Sequence, residues 1–108
     1  MNYTSIQPLL STVKKEIHQL YRERLNSVYL YGSYARGEAT EQSDVDLLVV
    51  LNDETISAFN EIGVMSELTY RASLNYDKLV TVVPVTKQRF DLLASPLYRT
   101  VRREGRQL

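Results

Sequence analysis

The hydrophobic positions of the first third of the chain follow a helical period. Apolar residues between Ile6 and Tyr21 recur every three or four positions, with charged and amide residues between them. This spacing predicts an amphipathic helix with Pro8 in its first turn. A run of β-branched and aromatic residues, Val28 to Tyr31, then stops at Gly32-Ser33. This second pattern predicts a strand that leads into a tight turn.

The rest of the chain alternates strands and helices. Val45 to Leu51 is apolar on both faces after Asp46, which predicts a central strand covered on both sides. Thr55 to Arg71 has helical spacing, and Asn52 or Asp53 could provide its N-cap. The run Leu79 to Val83 predicts a third strand, and Pro84 suggests that its far end is an edge or an exit.

A short helix is expected over residues 87–94, and the tail from residue 97 is compatible with a helix as far as Gly105. The predicted order is therefore α, β, short α, β, α, β, α. Such an order indicates an α/β (α+β) fold with a small mixed sheet flanked by helices. We expect one domain over residues 1–108.

Composition narrows the classes of function. Thirteen basic residues balance thirteen acidic ones, so no overall field attracts nucleic acid or an anionic membrane. The chain has no cysteine, which fits a cytoplasmic location and excludes thiolate metal sites. Its one histidine, His18, lies on the polar side of the first helix and is expected at the surface. No segment approaches the ~20 apolar residues of a membrane span.

Two aspartates at the start of the central strand are the first candidate site residues. Side chains two apart share a face of an extended strand, so Asp44 and Asp46 are expected to point to one side. Like charges this close repel each other, and the residues that follow are apolar, so the pair is costly unless a cation bridges it. Mg²⁺ is the natural candidate, because it takes one or two carboxylates and leaves other positions to water and phosphates.

The turn before this strand has the features of a phosphate site. Gly32 lets the backbone approach a phosphate closely, and the Ser33 hydroxyl and helix N-terminal N–H groups can donate to it. Arg36 adds positive charge one turn later. The alternative is that Gly32-Ser33 is only a turn and that the aspartates are solvated. Tyr34 could contact a nucleotide, although packing is the commoner role of a tyrosine.

These residues resemble the polymerase-β-like nucleotidyltransferase superfamily. Gly-Ser, ten residues and Asp-x-Asp form its signature, and the stretch GSYARGEATEQSDVDLLVV is similar to its minimal single-domain branch, which is often paired with HEPN-domain toxins. The resemblance is strong over Val28 to Leu51, and residues 74–108 are similar to the tails of these small proteins. It implies the polymerase-β-like fold and the transfer of a nucleoside monophosphate, usually AMP from ATP, to a hydroxyl with two Mg²⁺ ions.

By position, the resemblance implies that Gly32 and Ser33 hold the phosphates and that Asp44 and Asp46 ligate metal. The family takes a third carboxylate from a later strand. Asp77, just before the third strand, is the best match as a catalytic and metal-binding residue, although Lys78 interrupts the family's pattern. Asp53 and Asp91 are expected to be a helix cap and a solvated helix residue.

The resemblance further implies that the acceptor is a protein, because larger relatives use an additional domain to hold other acceptors. We expect a HEPN toxin as partner, with this chain as the antitoxin that modifies a toxin tyrosine, and homo- or hetero-oligomers are possible. One alternative is an antitoxin that acts by contact alone, and another is the nucleotide-binding subunit of a two-chain small-molecule transferase.

The C-terminal part of the chain contains a basic patch of four arginines, which is either a solvated face or a docking surface: Arg99, Arg102, Arg103 and Arg106.

Overall fold

The computed structural model describes residues 3–93 and 95–108, which form a mixed sheet between two helical layers. Its helices and strands, in chain order, are a 3₁₀ turn Tyr3–Ile6, α1 Gln7–Tyr21, a 3₁₀ turn Arg22–Arg24, β1 Leu25–Tyr31, α2 Ser33–Arg36, β2 Val45–Leu51, α3 Ala58–Tyr76, β3 Val80–Thr86, α4 Lys87–Asp91, α5 Pro96–Glu104 and β4 Arg106–Gln107.

The sheet has four strands in the order β3-β2-β1-β4. Strand β1 runs antiparallel to both β2 and β4, whereas β3 runs parallel to β2. Parallel neighbours need a long crossover, and α3 provides it. The small mixed sheet flanked by helices is confirmed.

Strand β2 is the centre of the core. Its apolar residues alternate between two clusters, as the period-2 geometry of a strand requires. Leu47 and Val49 pack with residues of α1 and α3, including Ile17. Leu48 packs on the opposite face with Phe90 of α4 and with α5. The prediction of a central strand covered on both sides is therefore correct.

Several element boundaries differ from the predicted ones. Helix α3 begins at Ala58, because the Ser57 hydroxyl accepts from the Asn60 N–H at 3.3 Å and caps the helix. Asp53 does not cap it, and instead forms an ion pair with Arg24 at 3.0 Å. The helix continues to Tyr76, five residues beyond the predicted end.

The strands are also longer or more numerous than predicted. Strand β3 passes through Pro84 to Thr86, since Pro84 stands in register with Val49 at the edge of the sheet, where its missing N–H is tolerated. Strand β1 starts at Leu25. The sequence pattern did not indicate β4, which is two residues long. Helix α4 ends at Asp91, and the predicted end at Ala94 lies outside the described residues.

A buried carboxylate joins three parts of the fold. Glu61 of α3 is 9% exposed and accepts from the Tyr21 hydroxyl of α1 at 2.9 Å and from Arg24 Nη2 at 3.1 Å. Burial and the Glu61 carboxylate raise the pKa of the Tyr21 hydroxyl, so it stays protonated and donates. None of the helices described is both long and apolar enough to cross a membrane.

We expect Glu61→Ala to lower the free energy of unfolding by about 2 kcal/mol, because it removes the acceptor of the buried Tyr21 hydroxyl and one of the two carboxylates that Arg24 contacts. The control is Glu67→Ala on the same helix, where the exposed carboxylate pairs with Arg71 and contributes about 0.5 kcal/mol or less. Urea denaturation followed by circular dichroism measures both. Equal losses in the two variants would contradict a special role for Glu61.

Candidate active site

The candidate site forms where β1 ends and β2 begins. Tyr31, the last residue of β1, stands in register with Asp46, the second residue of β2. Gly32 and α2 follow directly, so the antiparallel pairing brings the Gly-Ser turn against the aspartate. Gly32 and Asp46, which are fourteen positions apart in sequence, thus become neighbours because β1 and β2 pair.

Position 32 requires a glycine for two reasons, its backbone conformation and the close approach of Asp46. Its φ is +81°, a conformation that side-chain-bearing residues rarely adopt. A Cβ placed on it would lie 2.6 Å from Oδ2 of Asp46, closer than non-bonded atoms approach. The missing side chain leaves a narrow space in which one carboxylate oxygen of Asp46 lies against the backbone of the turn.

The other oxygen of Asp46 is held from the opposite side. Thr81 of β3 stands in register with Asp46, and its hydroxyl donates to Oδ1 at 2.8 Å. Thr81 therefore fixes the carboxylate so that Oδ2 faces Gly32. The Asp46 side chain is half-buried. Burial of the neighbouring Tyr31 hydroxyl, together with the nearby charge of Asp46, raises the pKa of that hydroxyl.

Asp44 lies immediately before β2 and is exposed. It and Asp46 offer hard oxygen donors beside a turn whose backbone can approach an anion, and that combination suits Mg²⁺ with a phosphate. The donor chemistry of the two aspartates therefore fits the expected Mg²⁺.

The structure does not bring Asp77 to this pair. Asp77 is the exposed C-cap of α3, with φ +52°, and it lines a groove beside the edge of the sheet. Within residues 3–93 and 95–108, no three Asp, Glu or His side chains form a group that could hold a metal ion. The position beside Asp46 on β3 belongs to Thr81, and the role of Asp77 as third carboxylate stays a prediction.

The remaining predicted residues sit on α2. Ser33 is half-buried at the start of this helix, next to Gly32. Arg36 is exposed, and its guanidinium contacts Glu38 at 3.2 Å and Glu104 at 3.7 Å, so binding a phosphate would require it to leave these carboxylates. Tyr34 is fully buried and packs in the core, which rules against direct contact with a nucleotide.

Two basic side chains make contacts beside the site that the sequence did not indicate. Lys78 donates to the Glu41 carbonyl at 2.9 Å and so ties the end of α3 to the loop that leads to Asp44. Arg106 of β4 donates to the Ala35 carbonyl at 3.2 Å and holds α2 from behind. Neither contact joins residues close in sequence, so no local pattern could have indicated them.

The arginines of the C-terminal basic patch all have acceptors within the chain. Arg99 donates to the Leu93 carbonyl, Arg102 to Asp91 and Arg103 to Glu104, while Arg106 holds α2. Asp91 also pairs with Lys87, and these hydrogen bonds keep the pKa of its carboxyl below the ordinary value. The patch thus contributes to internal contacts, and its role in docking stays a prediction.

Comparison with known proteins agrees with this geometry. Residues 10–104 match the family described as nucleotidyltransferase domain. The chain is 33% identical over 75 residues to a protein of Methanocaldococcus jannaschii named provisionally as a protein adenylyltransferase, covering 69% of this chain and 74% of the relative.

Solved structures have the same fold. A structure described as a minimal nucleotidyltransferase superposes with a TM-score of 0.62 at 27% identity, over 100% of this chain and 97% of its own. An MNT antitoxin from Shewanella oneidensis, solved in complex with a tri-AMPylated HEPN toxin, superposes with a TM-score of 0.50 at 24% identity, over 92% and 70%. The resemblance noted from the Gly-Ser and Asp-x-Asp residues is confirmed.

The space at Gly32 leads to a stability prediction with a matched control. Gly37 also has a positive φ, +75°, but a Cβ there meets no atom within 4 Å. We expect Gly37→Ala to cost about 1–2 kcal/mol from backbone strain alone. Gly32→Ala should cost roughly 1–3 kcal/mol more, because the added Cβ collides with Asp46 and because a ψ of −157° at this positive φ is a conformation that essentially only glycine adopts. Urea denaturation measures both losses, and equal values would argue against the tight contact.

Proposed function

Because this chain belongs to the nucleotidyltransferase domain family, we propose that it transfers AMP from ATP, with Mg²⁺, to a hydroxyl group of a protein partner. The observation that carries the proposal is the Asp46 carboxylate fixed between Thr81 and the backbone of Gly32. This contact puts a carboxylate oxygen, a type of ligand that Mg²⁺ accepts, beside a glycine turn of the kind that suits a phosphate.

Each residue of the site has a part in this proposal. Gly32 allows the triphosphate to approach the backbone, and the Ser33 hydroxyl donates to a phosphate oxygen. Asp44 and Asp46 would hold Mg²⁺, and Thr81 keeps the Asp46 carboxylate in position. When bound, the metal neutralises charge on the triphosphate and on the leaving group.

The transfer can be balanced atom by atom. The acceptor oxygen forms a bond to the α-phosphorus of ATP, the bond from that phosphorus to the bridging α–β oxygen breaks, and pyrophosphate leaves. The acceptor's hydroxyl proton must pass to a base. Thr81 is unsuited to this role, because a neutral hydroxyl is far too weak a base to take a proton at neutral pH. We propose a carboxylate as the base, and Asp77 is the candidate outside the aspartate pair.

A protein acceptor is supported by the names of similar proteins. The M. jannaschii relative is named for protein adenylyl transfer, and the S. oneidensis antitoxin was solved with an AMPylated HEPN toxin. We therefore propose a HEPN-domain toxin as the partner and an antitoxin role for this chain. A folded partner supplies its own binding surface, so a neutral chain needs no basic groove to hold it.

We predict Mg²⁺-dependent binding of ATP through the aspartate pair. The double variant Asp44→Asn with Asp46→Asn should lose the binding heat in isothermal titration calorimetry, because amides are poor ligands for Mg²⁺ compared with carboxylates. Asp91→Asn, an exposed aspartate paired with Lys87 and Arg102, is the control and should bind as wild type does. Equal affinity in the double variant and wild type would contradict the site.

We further predict transfer to the partner. Incubation of the chain with MgATP and a HEPN-domain protein encoded beside its gene should raise the partner's mass by one or more AMP units, read by intact-protein mass spectrometry. Asp44→Asn should prevent the gain in mass.

If Asp77 is the base, Asp77→Asn should abolish transfer and retain most ATP binding, since the base acts on the acceptor.

Two outcomes of the transfer experiment would distinguish an enzyme from a contact-only antitoxin and test Asp77 as the base. A partner that stays unmodified but is inhibited would favour an antitoxin that acts by contact alone. Full transfer by Asp77→Asn would exclude Asp77 as the base and leave Asp44 or Asp46 to take the proton.

A further inference from the structure

Helix α3 carries an uncharged apolar stripe that the proposed reaction does not use. Of the eight large apolar side chains most exposed among the described residues, six lie on α3 or in the turn after it. Phe59 is 86% exposed, and Tyr70 is 66% exposed. With 3.6 residues per turn, six exposed uncharged residues fall within about a third of the helix circumference. They form the α3 stripe: Phe59, Ile62, Gly63, Ser66, Tyr70 and Leu74.

The glycine in the stripe has no explanation within this chain. Gly63 lies inside the helix, where glycine weakens helical structure relative to alanine. A Cβ built on it meets no atom within 4 Å, so the chain's own packing does not require its absence. A missing side chain on an open helix face allows another backbone to approach closely.

The edge strand β3, which lies beside α3, is poorly suited to pairing with a strand of another chain. Leu79 O accepts from Val45 N and so faces β2, which turns the backbone groups of Val80, Val82 and Pro84 to the outer edge of the sheet. The Val80 N–H already donates to Ser73 Oγ at 3.1 Å, and Pro84 has no N–H. Two of these three positions thus offer no free N–H, which disfavours strand addition and makes a helix the better-fitting occupant.

The residues of the stripe are arranged almost symmetrically about Ser66. Ile62 and Tyr70 each lie four positions from Ser66, while Phe59 and Leu74 lie seven and eight positions from it. We propose that the α3 stripe is the interface of a twofold symmetric homodimer in which two α3 helices pack antiparallel across Ser66. In this arrangement Ile62 of one copy lies opposite Tyr70 of the other.

Charge and area favour a second copy as occupant. The stripe has no charge to repel its own image, and antiparallel packing puts opposite ends of the two helix dipoles side by side. Phe59 and Tyr70 together expose roughly 300 Å². Ile62 and Leu74, which are 45% and 63% exposed, enlarge this area toward the ~800 Å² per partner of a stable interface.

Disulfide trapping tests the symmetry axis directly, because the chain has no cysteine and any disulfide must join two copies. Under mild oxidation, Ser66→Cys should form a covalent dimer efficiently, since residue 66 meets its own image. Asn60→Cys, an exposed position on another side of α3, is the control and should remain largely monomeric. Equal cross-linking at the two positions would overturn the proposal.

Gly63→Ala gives a second readout with opposite signs for folding and association. The alanine should raise the midpoint of thermal unfolding of dilute protein, because alanine favours helix. The same change should weaken the dimer at least fivefold in sedimentation equilibrium, because the added methyl group separates the helices. Tyr70→Glu should give a folded monomer. Wild-type protein that stays monomeric at high micromolar concentration would overturn the proposal and would favour a different protein as the partner that binds the α3 stripe. None of these measurements involves nucleotide.

Discussion

The contact between the backbone of Gly32 and the carboxylate of Asp46 is the constraint on which the rest of the site depends. It exists because β1 and β2 pair in one register, which places the end of one strand beside the start of the other. A shift by one residue would turn Asp46 to the opposite face of the sheet and break the contact with the turn. The apolar residues of β2 pack in two cores at once, so such a shift would also require both cores to repack.

The long crossover through α3 decides which side chain lies beside Asp46. It returns the chain parallel to β2 and puts Thr81, rather than a carboxylate, next to Asp46. The hydroxyl satisfies one oxygen of Asp46 and carries no charge. Two carboxylates and a hydroxyl concentrate less negative charge than three carboxylates would, which lowers the repulsion that the fold must withstand without metal.

The C-terminal segment contacts the helix that follows the Gly-Ser turn and supports it. Strand β4 pairs with β1, and its Arg106 reaches the Ala35 carbonyl of α2. Arg36, at the end of the same helix, contacts Glu104 just before that strand. A helix of four residues has few internal hydrogen bonds, so these outside contacts are what hold it in place.

Local pattern was enough to predict the helices, the central strand covered on both faces and the Gly-Ser turn that precedes the aspartates. Those features follow from the periods of strand and helix and from the conformational freedom of glycine. The pairing of Thr81 with Asp46, the brace from Lys78 and the two-residue strand β4 were decided by tertiary structure alone. Each joins residues far apart in sequence, and strand register, which no local pattern encodes, determines which of them meet.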